Sequence, residues 1–385
     1  MEDNEVMKKR ILTGDRPTGR LHLGHYVGSL KNRIRLQEEY DCFFIIADLH
    51  TLTTAPGKTA ELSENIRDLV LDYLSVGIDP KKATIYLQSQ IPEVAELAVI
   101  FGNLVSVPRL NRMPTLKDVM RDAHIKIPSY GLLGYPVLQA ADILMVKADL
   151  VPVGRDQESH IEITREIARE FNRLYPLYSA QGPVSSFPPA SAQSSKPSQP
   201  SEPSVPFDLR AVGSPSRTTT LRAVFPIPEA LIPKDIGTLP GTDGKAKMSK
   251  SAGNVINLSD SKEEVKKKVM AMYTDPKRIH GDEPGDVTSN PVFIYLEAFA
   301  SDSHKSQVIS YKEKYQKGQI KDVEVKEFLV EVLEEFLQPI RKKRAEFEKQ
   351  PDLVEKILKE GTEKARAEAQ KTLSDVHRAM KLDID

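Results

Sequence analysis

Residues 10–25 read RILTGDRPTGRLHLGH, and this stretch decides the fold. Residues 10–13, with Ile11 and Leu12 at their centre, predict a short strand, and the Gly/Pro-rich residues 14–19 predict a turn. Helical spacing of apolar side chains follows at Val27, Leu30, Ile34 and Leu36. A strand that runs through a tight turn into a helix opens a chain in which strands and helices alternate.

The alternation continues through the first half of the chain. Residues 42–47 form an unbroken apolar run, as in a strand that is covered on both faces. Residues 59–77 carry a helical stripe that ends at Gly77, and further strands are predicted at 83–87 and 150–153. The pattern predicts an α/β fold of the doubly wound, Rossmann-like type, a parallel sheet whose ligands gather at the carboxyl ends of its strands.

The composition changes twice further along. From Pro183 to Pro206, 15 of 24 residues are Pro or Ser, which leaves too few apolar side chains for a packed core. After about residue 260 the chain is charged and amphipathic with helical periodicity. We therefore predict a catalytic domain at 1–178, a disordered insertion at 179–222, a continuation of the catalytic domain at 223–259 and an all-helical domain at 260–385.

The overall composition limits the class of protein. The net charge is −1, so a polyanionic partner must be bound by a local basic face. Cys42 is the single cysteine, which excludes an internal disulfide and a multi-cysteine metal site. The charged residues 1–10 lack the apolar core of a secretion signal, and the longest apolar run, 97–107, is too short to span a bilayer. These features predict a cytoplasmic protein that does not bind membranes.

The first candidate motif is His22-Leu23-Gly24-His25, at the predicted turn from strand to helix. The unpaired N–H groups and the partial positive charge of a helix N-terminus favour a phosphate there. Gly24 would let a nucleotide approach the backbone, and the imidazoles could donate to phosphate oxygens. The alternatives are a metal-binding pair or two surface histidines, although no third metal ligand is locally spaced for the former.

The second motif is KMSKS at residues 247–251, after the turn-rich GTDGK at 241–245. Lysines on a mobile loop can close over a triphosphate and neutralise the charge that grows on leaving pyrophosphate. The alternative is a solvated basic loop. The presence of both motifs on one α/β chain favours a nucleotide site that activates a carboxylate with ATP.

Together these motifs resemble the HIGH-type and KMSKS-type signatures of class I aminoacyl-tRNA synthetases. Three stretches make the chain similar, more narrowly, to the bacterial tryptophanyl-tRNA synthetase family: GDRPTG at 14–19, YPVLQAADIL at 135–144 and VPVGRDQESHIE at 151–162. The resemblance covers nearly the whole chain except the Ser/Pro-rich insertion. It implies that L-tryptophan is activated with ATP to tryptophanyl-adenylate and pyrophosphate and is then transferred to tRNA(Trp).

The resemblance implies that Asp142 accepts the indole N–H of tryptophan. A carboxylate in an apolar wall rejects substrates without a donor, because its buried oxygen would stay unpaired. The residues alone leave a second interpretation open, in which Asp142 caps the start of a helix. The other implied tryptophan-binding residues are Leu12, Gly14, Tyr135, Gln139, Ile143, Val151, Val153 and Gln157.

The resemblance also implies a nucleotide site. Four residues would stabilise the transition state, namely His22, His25, Lys247 and Lys250. The implied ATP contacts are Arg16, Pro17, Thr18, Gly24, His25, Gly154, Arg155, Asp156, Leu239, Lys247, Met248, Ser249, Lys250 and Ser251. Mg²⁺ is expected on the phosphates, without a protein metal site, zinc or an iron–sulfur cluster. Arg16 and Arg155 depart from the family, in which Gln and an acidic residue are usual at these places.

The resemblance further implies a homodimer and anticodon contacts in the helical region 260–385. Three alternatives remain open. A tyrosyl-tRNA synthetase shares the fold and both signatures, and a small-molecule nucleotidylyltransferase would not need the helical region. A non-catalytic RNA-binding relative could lose His22, His25 or Lys250, all of which are present.

Overall fold

The computed structural model describes residues 8–154, 157–178, 221–232, 239–245, 247–273, 278 and 283–383. Its strands are β1 (Arg10–Asp15), β2 (Asp41–Ile46), β3 (Ala83–Leu87), β4 (Leu150–Pro152), β5 (Leu177–Tyr178), β6 (Leu221–Arg222) and β7 (Glu229–Leu231). Five of them form one sheet in the order β3-β2-β1-β4-β7, with every neighbouring pair parallel. The predicted parallel sheet is thereby confirmed.

Helices connect and cover these strands. They are α1 (Leu23–His25), α2 (Lys31–Glu39), α3 (Asp48–Leu52), α4 (Leu62–Val76), α5 (Glu93–Gly102), α6 (Val107–Asn111), α7 (Pro114–Asp122), α8 (Tyr130–Met145), α9 (Glu158–Leu174), α10 (Lys262–Met270), α11 (Pro291–Phe299), α12 (Lys305–Gln316), α13 (Asp322–Glu348) and α14 (Pro351–Met380). A π-helical turn, Tyr26–Leu30, joins α1 to α2. Gly77 ends α4 with a φ of 110°, a left-handed conformation that favours glycine.

β1 is two residues longer than the sequence predicts. Gly14 and Asp15 pair with Ile45 and Ile46 of β2, so Gly14 belongs to the strand and not to the turn. A Cβ atom at Gly14 would lie 2.0 Å from the carbonyl oxygen of Ile45. The glycine therefore permits a close approach of the two strands where composition suggested a turn.

The sheet separates two hydrophobic cores, because alternate residues of a strand point to opposite faces. Ile11 and Phe44 belong to the core that also includes buried residues of α4 and α13. Leu12 and Phe43 belong to the second core, which includes residues of α5, α8 and α9. The strands are buried on both sides, as their continuous apolar sequence predicts.

The helices after residue 260 pack directly on the sheet domain. α13 lies against α4, and α14 lies against β3. A Cβ atom at Gly361 of α14 would lie 1.9 Å from the carbonyl oxygen of Ile85, so glycine allows helix and strand to touch. The predicted apolar stripe of α13 faces the first core, through Val325, Phe328, Leu329, Val332, Leu333 and Phe336.

The predicted insertion lies outside the described residues except at its end. The sequence analysis places that end at Arg222, whereas Leu221 and Arg222 form β6 and pair antiparallel with Tyr178 and Leu177. Residues 178 and 221, which flank this part of the chain, therefore lie on paired strands. In the described part of the chain, every helix is too short or too polar to cross a membrane.

Candidate active site

The carboxyl ends of β1 and β4 meet at the place where the strand order reverses. Within the sheet, β2 lies on one side of β1 and β4 lies on the other side. Such a switch point opens a crevice beyond the strand ends, where α/β proteins bind ligands. The residues after β1, from Arg16 to His25, and those after β4, from Val153, lie at this edge. We call residues 16–25 the histidine turn.

Close contacts fix the two imidazoles of the histidine turn. The backbone N–H of His22 donates to Nδ1 of His25 at 3.2 Å, and the two ring centroids are 3.8 Å apart. A Cβ atom at Gly24 would lie 3.0 Å from the His22 ring, so a larger residue would press on it. The backbone N–H of Gly24 meets Sδ of Met248 at 3.3 Å. The first motif therefore already touches the second.

Residues 241–254, which we call the lysine loop, are closed by one buried amide. Oδ1 of Asn254 accepts the backbone N–H of Ser249 at 2.8 Å, and its Nδ2 donates to Asp243 at 3.1 Å. A Cβ atom at Gly241 would lie 2.0 Å from that Nδ2. Asn254 thus fixes the loop conformation, although no pattern in the surrounding sequence singles it out.

The lysine loop and the residues that follow it, 255–258, lie against the histidine turn. The backbone N–H of Leu23 donates to Ile256 at 3.0 Å, and that of Leu258 donates to Leu21 at 2.9 Å. Nζ of Lys250 donates to the carbonyl oxygens of Thr18 at 3.3 Å and Gly19 at 2.8 Å. Two motifs that are far apart in sequence therefore form one basic site.

The local environment keeps both motif histidines neutral near pH 7. Burial, together with the charges of His25, Lys250 and Lys247, lowers the pKa of His22 to about 3. Burial also lowers the pKa of His25 to about 4, although the Asp15 carboxylate opposes the shift. Each neutral imidazole has one N–H group that can donate a hydrogen bond.

These shifts predict acid sensitivity of the fold. In the unfolded chain a histidine takes up its proton near pH 6.5, whereas folded His22 stays neutral to about pH 3. The unfolded state therefore binds more protons in this interval, and stability is lost as the pH falls below about 6.5. Replacing His22 by Gln should reduce the stability lost between pH 7 and pH 5 by about 2 kcal/mol.

Urea unfolding at the two pH values measures this difference, with exposed His124 replaced by Gln as the control. Asp72 acts in the opposite direction, because burial raises its pKa to about 6, but it does so equally in every variant. Equal losses of stability in the wild type and in His22→Gln would contradict the assignment of a neutral, buried His22.

Asp15, which the sequence analysis missed, organises the base of the histidine turn. It is the last residue of β1, and its Oδ2 accepts hydrogen bonds from Arg33 at 2.6 Å and from Tyr73 at 2.7 Å. Burial opposes ionisation, but the Arg33 guanidinium prevails and lowers the pKa of Asp15 to about 2. Asp15 is therefore a fixed negative charge under the turn.

Asp142 lies within α8 and is almost completely buried, at 2% exposure. Nε2 of His50 lies 2.9 Å from its Oδ2, and Nε2 of Gln88 donates to its two oxygens at 3.0 and 2.8 Å. Gln88 itself is fixed, since its Oε1 accepts the backbone N–H of Leu49 at 3.1 Å. Asp142 sits near the end of the helix, so the interpretation as a helix N-cap is wrong.

The neighbouring polar groups define the rest of this pocket. The hydroxyl of Tyr135 lies 2.6 Å from Nε2 of His160, and Oγ1 of Thr115 lies 3.1 Å from the same nitrogen. Burial raises the pKa of Tyr135, while Thr115 and the positive charge of Arg16 oppose the shift. The charge of Arg16, in the histidine turn, thus acts on a side chain near Asp142.

A search of protein families gives a direct assignment. The family of tRNA synthetases class I (W and Y) matches residues 5–338. The chain belongs to this family. It is 51% identical over 375 residues to the tryptophan–tRNA ligase of Treponema pallidum, with 97% of each chain covered. It is 47% identical to that of Chlamydia caviae over 97% of this chain and 96% of the relative.

Solved structures agree with this class I synthetase assignment. The tryptophanyl-tRNA synthetase of Campylobacter jejuni, crystallised with ADP and tryptophan, superposes with a TM-score of 0.76 and 30% identity. The match covers 97% of this chain and 99% of that one. The tyrosyl-tRNA synthetase of Aeropyrum pernix, at 16% identity and a TM-score of 0.60, shares the fold.

Most of the predicted tryptophan-binding residues lie in the second core or at its edge. Leu12, Ile143 and Val151 are buried in the second core together with Tyr135. Gln139 belongs to the same helix as Asp142, one turn earlier, and is half-buried. Val153 and Gln157 follow β4 and are also half-buried. Gly14 lies within β1 and contacts the backbone of β2, as described above.

The predicted ATP residues that the structure describes fall into three groups by the exposure of their side chains. The exposed side chains are Arg16, Thr18 and Lys247, and the half-buried residues are Gly24, His25, Gly154, Ser249 and Lys250. Pro17, Leu239 and Met248 are buried, and Leu239 and Met248 pack in the first core. Arg155, Asp156 and the side chain of Ser251 lie outside the described residues.

His50 and Gln88 contact Asp142, although the sequence analysis did not assign them to the site. Each follows a strand, β2 and β3 respectively, at the carboxyl edge of the sheet. That position was the available signal, since polar residues there meet at the ligand crevice. Within the described ranges, no group of three or more His, Cys, Asp or Glu side chains is placed to hold a metal ion.

Proposed function

We propose that this chain is a tryptophan–tRNA ligase. It activates L-tryptophan with ATP and transfers the tryptophanyl group to tRNA(Trp). The observation that carries the proposal is its identity of 45–51% to tryptophan–tRNA ligases along 97% of its length. The two joined motifs and the buried Asp142 carboxylate supply the chemistry that such an enzyme needs.

In the first step a carboxylate oxygen of tryptophan attacks the α-phosphorus of ATP. The bond from that phosphorus to the bridging oxygen breaks, and pyrophosphate leaves with the electron pair. A carboxylate is already nucleophilic, so the step requires no general base, and catalysis comes from positioning and charge stabilisation. The residues that we assign to stabilising the growing charge are His22, His25, Lys247 and Lys250.

Lys250 is the best-positioned of these groups. Its ammonium lies on the carbonyl oxygens of residues 18 and 19, at the entrance to the histidine turn. Burial lowers its pKa, while the carboxylates of Asp15, Asp72 and Asp68 oppose this. A triphosphate bound at the turn would bring negative charge to a cation that is poorly solvated and therefore interacts strongly with it.

Tryptophan recognition follows from the Asp142 pocket. With Asp142 ionised, His50 and Gln88 donate to it and keep the carboxylate in one orientation. The indole N–H is the donor that completes its hydrogen bonding. Because Asp142 is buried, a side chain of similar size without that donor would leave the carboxylate under-satisfied.

The cofactor part of the proposal is limited to the nucleotide. ATP is the co-substrate, and we assign Mg²⁺ to its phosphate oxygens, since the described residues offer no cluster of protein ligands. In the second step a hydroxyl of the terminal tRNA ribose attacks the acyl carbon, and AMP leaves. The exposed lysines of α10 that could meet the tRNA backbone are Lys262, Lys266 and Lys267.

The proposal includes a cytoplasmic homodimer. Large apolar side chains are exposed before and at the start of α8, namely Ile127 at 84% and Tyr130 at 89% exposure. Val99 and Val107 are exposed on α5 and α6. A second copy that covers this surface would remove it from water, which is favourable. Sedimentation equilibrium of the wild type and of Ile127→Asp tests this: a dimer that the substitution dissociates is expected, and a wild-type monomer contradicts it.

Aminoacylation tests the function itself. The purified chain is expected to attach tryptophan to a tRNA(Trp) transcript in the presence of ATP and Mg²⁺, and not to attach tyrosine to tRNA(Tyr). Charging of tRNA(Tyr) with tyrosine would reassign the chain to the sister specificity. Binding of tRNA without charging by either amino acid would favour the non-catalytic relative.

A further inference from the structure

Helix α13 contacts the segments that carry both nucleotide motifs through one face. Arg341 and Arg344 are three residues apart, so their side chains lie on the same side of the helix. Arg344 reaches towards α4 and the histidine turn, and Arg341 reaches the segment that follows the lysine loop. No step of the proposed reaction uses either arginine.

The first contact runs from Arg344 to Leu21 through one carboxylate. Oδ1 of Asp72 accepts Nη1 of Arg344, and Oδ2 of Asp72 accepts the backbone N–H of Leu21 at 2.7 Å. Arg344 is also paired with Asp68, and the Asp72 side chain is only 1% exposed. Leu21 directly precedes His22. The buried Asp72–Arg344 ion pair is therefore hydrogen-bonded to the backbone of the histidine turn.

The second contact runs from Arg341 to the strand-like segment beside His22. Nη1 of Arg341 donates to the carbonyl oxygen of Asp260 at 3.1 Å. The Asp260 carboxylate accepts the backbone N–H and the side-chain Nδ2 of Asn257, at 2.8 and 3.0 Å. Asn257 forms an antiparallel bridge with His22. Glu334, on the same helix, accepts hydrogen bonds from Arg341 with both of its carboxylate oxygens.

The contacts therefore reach the histidine turn from two sides. Asp72 holds the backbone at Leu21 and Asn257 holds it at His22, while α13 holds Asp72 and Asp260. α13 also places Nζ of Lys326 on the carbonyl oxygens of Met270 and Met272, at 3.1 and 2.7 Å, at the end of α10. The helix is thus anchored at both ends of α10, which follows the lysine loop.

We infer that Arg344 and Arg341 are positioning residues for amino-acid activation, which set the placement of the histidine turn relative to the lysine loop. The inference rests on the proposed function, because it concerns the ATP site of that reaction. It makes α13, a helix of the C-terminal region, part of the machinery that aligns ATP. It predicts that loosening α13 damages the use of ATP and leaves tryptophan binding intact.

The experiment measures ATP–pyrophosphate exchange in Arg344→Met, Arg344→Lys and the double variant Asp72→Asn/Arg344→Met. The double variant removes the buried Asp72 charge together with its partner, and the amide oxygen that replaces the carboxylate can still accept the Leu21 N–H. Asp68, the other partner of Arg344, keeps its ion pair with Arg20 at 3.4 Å. The control is Arg366→Met, which breaks another ion pair between the C-terminal helices and the sheet domain, to Glu93 at 3.0 Å. Tryptophan affinity is read from the ligand's own fluorescence, since the chain has no Trp.

We expect kcat/KM for ATP to fall about tenfold or more in Arg344→Met and in the double variant, with partial recovery in Arg344→Lys. The dissociation constant of tryptophan should stay unchanged, and Arg366→Met should exchange like the wild type. If the Arg344 variants lose no more kcat/KM for ATP than Arg366→Met does, at equal urea midpoints, the inference is overturned. A wild type without tryptophan-dependent exchange would instead overturn the proposed function, so the two failures are distinct.

Discussion

Replacing Lys250 by Ala is expected to slow tryptophan-dependent ATP–pyrophosphate exchange by about a hundredfold to a thousandfold. The ammonium lies over the histidine turn, and its charge matters most when negative charge grows on the departing pyrophosphate. Tryptophan affinity should change little, because the indole site that we propose lies around Asp142. Exchange kinetics with varied ATP, together with tryptophan binding by ligand fluorescence, measure both quantities.

Lys245 provides the matched control for this prediction. It is an exposed lysine of the same loop, and substitution by Ala removes the same net charge. A general electrostatic effect of the loop would slow Lys245→Ala and Lys250→Ala alike. Such equal slowing, or unchanged exchange in Lys250→Ala, would show that Lys250 does not stabilise the transition state.

The second large effect is expected at Asp142. Asp142→Ala should lower kcat/KM for tryptophan by about a hundredfold, since the charged acceptor of the indole N–H is removed. The matched change in the ligand is a tryptophan analogue in which sulfur replaces that N–H. The wild type should discriminate against this analogue by a comparable factor.

The combination of the two changes is the decisive part. If Asp142 reads the N–H, the Ala variant should treat tryptophan and the sulfur analogue alike, because the interaction is already lost. Both effects would then be strongly non-additive. Additive losses in the Ala variant and with the analogue would mean that Asp142 supports the pocket without contacting the indole nitrogen.

The fold could be predicted because its signals are local. Continuous apolar runs mark strands that are buried on both faces, and Gly77 ends α4 where the sequence indicated. Gly14 was misplaced for a physical reason. A glycine in a turn and a glycine at a close contact between strands look the same in sequence, and the space that Ile45 leaves decides between them.

The site was only partly predictable from the sequence. His22, His25 and Lys250 were identified because their motifs are contiguous, and the structure brings them together. His50 and Gln88 act on Asp142 through contacts between elements that are distant in sequence. Asp72 and Arg344 are also far apart in sequence. Each looks like an ordinary charged residue of a helix, and only the fold brings the two together.

The central claim is that the chain activates tryptophan, and amino-acid-dependent ATP–pyrophosphate exchange tests it most directly. Tryptophan and tyrosine should be compared side by side at equal concentrations, with Asp142→Ala as the variant. The account predicts exchange with tryptophan, none above background with tyrosine, and a strong loss in the variant. Exchange driven by tyrosine, or by neither amino acid, would contradict it.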